Sequence, residues 1–189
     1  MRRIVVSQFV SLDGVIEDPV GIETLGRGAW SGRADSGPEG GKFKVDEMME
    51  SEAMLLGRKT YDGYVAAWPS RDGDYADKIN GMPKYVVSST LGSPAWNNTT
   101  VLGGDVASAV AELKGQPGGD ILVHGSAELT YALMEHDLVD EWRLMIYPIV
   151  VGAGKRCFAD PGQAVALELT ESRAVGDGVA IMIYHPVRD

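Results

Sequence analysis

Strands alternate with helices along this chain until about residue 140, and the junctions between them follow one design. Ala53-Met-Leu-Leu-Gly-Arg-Lys-Thr-Tyr61 is its sharpest instance. The apolar run ends at Gly57, and Arg58, Lys59 and Thr60 stand where a helix begins. Asp120-Ile-Leu-Val-His-Gly-Ser-Ala-Glu128 repeats the design with Gly125-Ser126 at the junction. Apolar runs without alternation belong to a parallel sheet covered on both faces. A strand that ends in glycine and feeds a helix also gathers free N–H groups and the positive end of the helix dipole. Two such crevices in one small domain point to one long phosphate-bearing ligand. The plainer alternative is a pair of surface turns, with Arg58 and Lys59 solvated.

Residues 3–10 form a nearly continuous apolar strand interrupted by Ser7 and Gln8, and Ser11-Leu-Asp-Gly14 turns the chain. Residues 16–41 are rich in Gly, Pro, Asp and Ser, the composition of a lid or binding loop. Trp30 within it either anchors the loop on the core or forms a wall for a planar ligand. Phe43, Val45, Met48, Met49 and Ala53 predict an amphipathic helix over 43–54. Helices are predicted over 60–68, stopped by Pro69, and over 74–80. Strands follow at 84–88 and 100–102. Gly103-Gly104 then lead to Asp105, an N-cap for a helix over 106–113. A strand at 121–123 and a helix at 126–134 complete the alternation.

From residue 142 the pattern changes to consecutive strands. A long run over 142–151 precedes two alternating runs, 166–175 and 179–185, joined by Gly176-Asp-Gly178, a hairpin signal. The expected fold is α/β, one domain over 1–189, with a mostly parallel central sheet flanked by helices and antiparallel strands at the C-terminal end. The run over 142–151 is also expected to offer an exposed edge for a subunit contact.

A net charge of −10 over 189 residues argues against nucleic acid or an anionic membrane as partner. The single cysteine, Cys157, excludes an intrachain disulfide and a cysteine-built metal site, and reads as a small buried hydrophobe. The N-terminal apolar run is too short and too interrupted for a signal peptide, and no window reaches the length of a membrane span, so the cytoplasm is the expected compartment. No Gly-x-Ser-x-Gly elbow, His-Glu-x-x-His motif, Walker loop or Rossmann fingerprint is present. His136 and His185 read as structural or exposed. His124 ends a strand before Gly125-Ser126, where ligands of open α/β sheets bind. Gly57 with Arg58 and Thr60, Ser88-Ser89-Thr90, Gly103-Gly104 and Gly125-Ser126 all follow apolar strands and offer donors to phosphate oxygens.

Taken in order, Gly57-Arg-Lys-Thr-Tyr61, Lys84-Tyr-Val-Val-Ser-Ser-Thr90, Ile121-Leu-Val-His-Gly-Ser-Ala-Glu-Leu129, Leu138-Val-Asp-Glu141 and Pro148-Ile-Val-Val-Gly-Ala-Gly-Lys155 resemble the dihydrofolate reductase superfamily. The closer resemblance is to its branch related to the reductase domain of bifunctional riboflavin-biosynthesis deaminase-reductases. It implies NADPH as hydride donor. On this resemblance Arg58 and Thr60, with Lys59 and the Ser88-Ser89-Thr90 turn, hold the adenosine 2′-phosphate. Gly57, Gly103, Gly125, Ser126, Ala127 and Leu129 line the path of the cofactor, and Phe9, Asp13 and Ile16 lie near the nicotinamide. Trp30, Phe43 and His124 are expected on the substrate side, with Asp13 in a polar role in the reaction. Folate-reducing enzymes carry a carboxylate in the first helix. Here its register falls at Gly41, between Glu39 and Asp46, which leaves the proton source unassigned. The expected function is an NADPH-dependent reductase of a small heterocyclic or carbonyl substrate, similar to 5-amino-6-(5-phosphoribosylamino)uracil reductase or dihydrofolate reductase and working as a homodimer. The alternatives are a non-catalytic nucleotide-binding module of the same fold and a flavin or pteridine binder.

Overall fold

The structure is a computed structural model that describes residues 1–21, 29–158 and 164–188. Its eight strands form one sheet in the order β4-β3-β2-β5-β1-β6-β8-β7. The strands are β1 (Ile4–Ser11), β2 (Ala53–Gly57), β3 (Lys84–Val87), β4 (Thr99–Leu102), β5 (Ile121–His124), β6 (Glu141–Tyr147), β7 (Leu167–Val175) and β8 (Val179–Pro186). Neighbours from β4 to β6 pair parallel, whereas β6–β8 and β8–β7 pair antiparallel. The mixed sheet expected from the chain's pattern is therefore present.

The central strands are buried on both faces, and successive residues feed different cores. Ile4 and Val6 of β1, with Leu55 and Val123, pack under α4 (Val106–Gly115) and α5 (Ala127–Glu135). Val5, Met54, Leu56 and Leu122 pack on the other face under α1 (Gly37–Glu50), α2 (Arg58–Ala67) and α3 (Asp74–Gly81). This two-sided burial is why β1, β2 and β5 show no polar alternation. Lys84 is fully buried where α3 meets β3. Its ammonium donates to the carbonyls of Ile79, Asn80 and Met82 at 2.7 to 2.9 Å, and burial lowers it to about 8.

Two boundaries differ from the sequence reading. Helix α1 begins at Gly37, inside the glycine-rich stretch read as loop. Pro38 sits in its first turn, where a missing N–H costs nothing, and Gly40 is buried with no room for a side chain: a Cβ there would lie 2.4 Å from Ser36 Cβ. Strand β6 stops at Tyr147, before Pro148, rather than running on to 151. It also lies inside the sheet between β1 and β8, so it has no free edge for the expected subunit contact; the edges are β4 and β7. Part of the loop expected as a lid, residues 22–28, lies outside the described residues. Its remainder contains a short 3-10 helix, Trp30–Arg33.

Candidate active site

The strand-to-helix turns after β2 and β5 are bolted together. The Gly57 N–H donates to Ser126 Oγ at 2.9 Å, the Ser126 N–H donates to Thr60 Oγ1 at 2.9 Å, and Ser126 Oγ donates to the His124 carbonyl at 2.9 Å. Gly125 and Ser126 both adopt left-handed backbone, with φ of 52° and 56°. A side chain at Gly125 would bring Cβ to 3.1 Å from Thr60 Oγ1, and Gln8 Nε2 donates to the Gly125 carbonyl at 2.7 Å. A non-glycine residue in this conformation is held only where its surroundings over-determine it. Here three hydrogen bonds at Ser126 do so, and α5 begins at the next residue.

Three hollows run along the carboxyl ends of the parallel strands. The outer one, about 490 Å³, is lined by Arg58, Ser88, Ser89, Thr90, Gly103 and Gly104, among others. The middle one, about 80 Å³, lies among Ile16, Lys59, Thr60, Ser126, Ala127 and Lys155, and shares Gly57, Glu128 and Leu129 with the outer one. The inner one, about 310 Å³, meets the middle at Gly125 and is walled by Phe9, Lys44, Tyr64, Trp68, Tyr75 and His124. Apart from Asp13, every residue expected along a cofactor therefore lines one of these three adjoining hollows. In the outer hollow Arg58 Nε pairs with both oxygens of Asp62 at 2.9 and 3.0 Å, and its Nη1 reaches Thr90 Oγ1 at 3.4 Å. Ser88 Oγ accepts the N–H groups of Thr90 and Leu91, which shapes the turn. The acid in the first turn of α5, Glu128, is offset by Lys155 at 2.5 Å.

The residues expected around the reacting centre divide. His124 lines the inner hollow. Trp30 does not: it is buried against Tyr147, and its Nε1 donates to the Glu17 carbonyl at 2.8 Å, so it anchors the loop. Phe43 packs in the same cluster with Met145 and Ile181, and the Arg173 guanidinium lies 5.5 Å from its ring centre, away from the crevice. Asp13 accepts from Ser11 Oγ at 2.7 Å and from the N–H groups of Val151 and Gly152 at 3.0 and 2.8 Å. The Ser11 hydroxyl and then these N–H groups hold its carboxyl down at about 2. It is an ionised tie between the loops after β1 and β6, which corrects its expected part in the reaction.

The structure adds what sequence reading missed. Glu47 of α1 is fully buried and accepts from Ser7 Oγ at 3.0 Å. It pairs with the Lys44 ammonium and meets His124 Nε2 at 3.1 Å. Burial pushes its carboxyl up, but Lys44 and His124 outweigh burial and hold it at about 2. Burial, then the Lys44 charge, lowers His124 against the opposing pull of Glu47, so the ring is neutral at pH 7. A carboxylate only accepts, so the closer contact with Glu47 assigns the proton to Nε2, which the Lys44 ammonium also approaches at 3.4 Å; in that tautomer Nδ1 accepts from the Tyr64 hydroxyl at 3.0 Å. Glu47 follows Phe43 by one helical turn on the buried stripe of α1. Tyr64 lies between Thr60 and Trp68 on one face of α2, and Ser7 is a polar break in a strand buried on both faces. These spacings were the available signals.

The chain matches the RibD C-terminal domain family over residues 2–181. It belongs to that family. As a RibD C-terminal domain it is reductase-like, and its full-length relatives include two uncharacterised proteins of Bacillus subtilis (strain 168). YyaP is 30% identical over 192 residues, covering 97% of this chain and 95% of its own. YwjB is 28% identical over 181 residues, covering 95% and 96%. The fold recurs in a candidate riboflavin biosynthesis protein from Shewanella sp. PV-4, with a TM-score of 0.79 and 22% identity over 98% of this chain and 99% of that one. It recurs again in a pyrimidine reductase-like protein from Corynebacterium diphtheriae, with a TM-score of 0.68 and 12% identity over 100% and 93%. Among the described residues no helix is long and apolar enough to cross a membrane, and no cluster of acids, histidines and cysteine could hold a metal ion.

Proposed function

We propose that the protein is an NADPH-dependent reductase of a small planar heterocycle or carbonyl compound. The observation that carries this reading is the single crevice with unlike ends: donors and a guanidinium outside, aromatic rings, a lysine and a neutral histidine inside. The residues suit the cofactor. Position 125 favours glycine, because its backbone is left-handed and a Cβ would lie 3.1 Å from Thr60 Oγ1, and this turn opens a helix N-terminus to a pyrophosphate. Arg58, Thr90 and the Ser88-Ser89 turn suit a 2′-phosphate, since a guanidinium fork matches phosphate oxygens. When bound, the cofactor supplies a hydride; orientation and a dry pocket are left to the chain. Phe9 and Ile16 flank the passage from the middle to the inner hollow, and Trp68, Tyr64 and Tyr75 wall the substrate side.

The test is a titration of the protein with NADPH and NADH, followed by tryptophan quenching. A preference for NADPH of tenfold or more, about 1.4 kcal/mol, supports the reading. Binding of neither sinks it, and saturable binding with no turnover of any heterocycle favours the non-catalytic module instead. A homodimer is proposed on the family resemblance and a cytoplasmic compartment on the short, interrupted N-terminal apolar run; light scattering checks the first.

A further inference from the structure

The four groups Ser7, Lys44, Glu47 and His124 come from three different elements and converge behind the inner hollow. Charged and titratable groups are seldom buried together unless each is paired. Glu47 is moreover incompletely satisfied. Its Oε2 is buried and is the one such side-chain atom among the described residues without a hydrogen-bond partner. A buried cluster of titratable groups with one unsatisfied carboxylate oxygen at the wall of a crevice is a mark of function.

What the arrangement accomplishes is visible in the order of its contacts. Glu47 Oε1 accepts from His124 Nε2, which fixes the ring and its tautomer. The opposite nitrogen, Nδ1, then holds the hydroxyl of Tyr64 at 3.0 Å on the lining of the inner hollow. Tyr64 is further braced by edge contacts with Trp68 and Trp96 at 6.3 and 6.4 Å between ring centres. We propose that Tyr64 is the catalytic acid of this site, with His124 and Glu47 as its positioning residues. This rests on the reductase reading above.

In the step so assigned, a substrate carbon of a C=O or C=N bond gains the hydride. The π pair moves onto oxygen or nitrogen, and that atom takes the Tyr64 proton as the phenolic O–H breaks. The substrate is reduced by two electrons and the nicotinamide oxidised by two. The phenolate regains its proton from water as the product leaves. The hydroxyl hydrogen turns from Nδ1 toward the substrate before the step, with the Lys44 ammonium in the same hollow against the developing charge.

The experiment uses the full chain labelled with ¹⁵N-histidine, the His124 resonances being assigned by their loss in His124→Gln. A neutral ring with its proton on Nε2 at pH 7 is expected, and Tyr64→Phe is expected to leave the proton on Nε2 and to shift the Nδ1 resonance as that nitrogen loses its hydrogen bond. A protonated ring, a proton on Nδ1, or a spectrum indifferent to Tyr64→Phe overturns the proposal. Turnover is read as NADPH oxidation with dihydrofolate and dihydrobiopterin as probes. Wherever the wild type turns over, Tyr64→Phe should lower kcat by about 100-fold or more while NADPH affinity stays within about twofold. Glu47→Gln, which keeps the shape, should lower kcat less and shift the tautomer. An unchanged kcat in Tyr64→Phe removes the assignment. Failure to bind NADPH sinks the reductase reading and with it the catalytic step, whereas the histidine spectrum, read without cofactor, separately reports whether Glu47 and His124 position Tyr64.

Discussion

The turns after β2 and β5 look alike in sequence and differ in structure. At Gly57 the backbone is ordinary and extended, with φ −74° and ψ 158°, and a Cβ would meet only van der Waals contact, 3.4 Å from Ser126 Cβ. What this turn supplies is side chains: Arg58 toward the outer hollow, Thr60 toward Ser126 and, a turn later, Tyr64 toward His124. At Gly125-Ser126 the backbone itself is unusual, and the side chains serve to hold it so. One turn carries charge and chemistry on a relaxed backbone. The other forms a strained cradle, and each completes the other through the Gly57–Ser126 and Ser126–Thr60 hydrogen bonds. Two copies of one motif have thus divided shape and charge between them.

The sharpest way to break that division is Gly125→Val. A left-handed L-residue costs about 1–2 kcal/mol, and the contact with Thr60 adds to it, so the melting temperature should fall by roughly 4–8 °C. NADPH binding should weaken by more than about tenfold, since the cradle is displaced. Thermal melts and the cofactor titration check both. A valine variant that melts and binds like the wild type would show that the backbone there is not constrained.

Arg58→Ala breaks the other half. Loss of a charge-assisted contact of about 1.5–3 kcal/mol should weaken NADPH by roughly 10–100-fold while leaving NADH within about twofold. Equal loss for both cofactors would place the phosphate elsewhere.

Glu47 allows a test through acid. Its folded value, about 2, lies below the ordinary unfolded value near about 4.3, so the native state favours the carboxylate. The stability this gives is complete above the unfolded value and is lost as pH falls through about 2. Urea unfolding between pH 2 and 6 should show that decline in the wild type and a flatter curve in Glu47→Gln.

Two smaller effects sharpen the comparison. Asp105 caps α4 by accepting the Ser108 N–H at 2.9 Å, so Asp105→Ala should cost about 1 kcal/mol in urea unfolding and leave NADPH binding unchanged. Gly57→Ala should be nearly silent, within about 0.5 kcal/mol, because its backbone angles suit any residue. A large loss there would mean that both turns, and not one, need glycine.

Much of this site was legible in the chain. The crevice residues from Gly57 to Thr60, Ser88 to Thr90 and Gly125 to Leu129 lie on short segments directly after buried strands. A strand end and the following helix start are neighbours in sequence as well as in space. The Gly176-Asp-Gly178 hairpin was legible for the same reason, and Gly176 and Gly178 both adopt positive φ. Trp30, Phe43 and Asp13 misled because an aromatic or acidic residue near a loop looks the same whether it faces ligand, core or a neighbouring loop. Glu47 was hidden by the general expectation that a helix glutamate faces water. Its reasons for being buried, Ser7 and His124, lie 40 and 77 positions away.

The sequence by itself determined the elements, their alternation, the position of the glycine-bearing turns and the net acidic charge, because each follows from local propensity, burial periodicity or charge. Only the tertiary structure decided that β6 is interior, that the two turns interlock, and that a carboxylate, an imidazole and a phenol meet at one wall. Those outcomes depend on which distant segments share the carboxyl edge of the sheet. That sharing is settled by simultaneous packing of helices on two faces, a condition no single stretch of sequence contains.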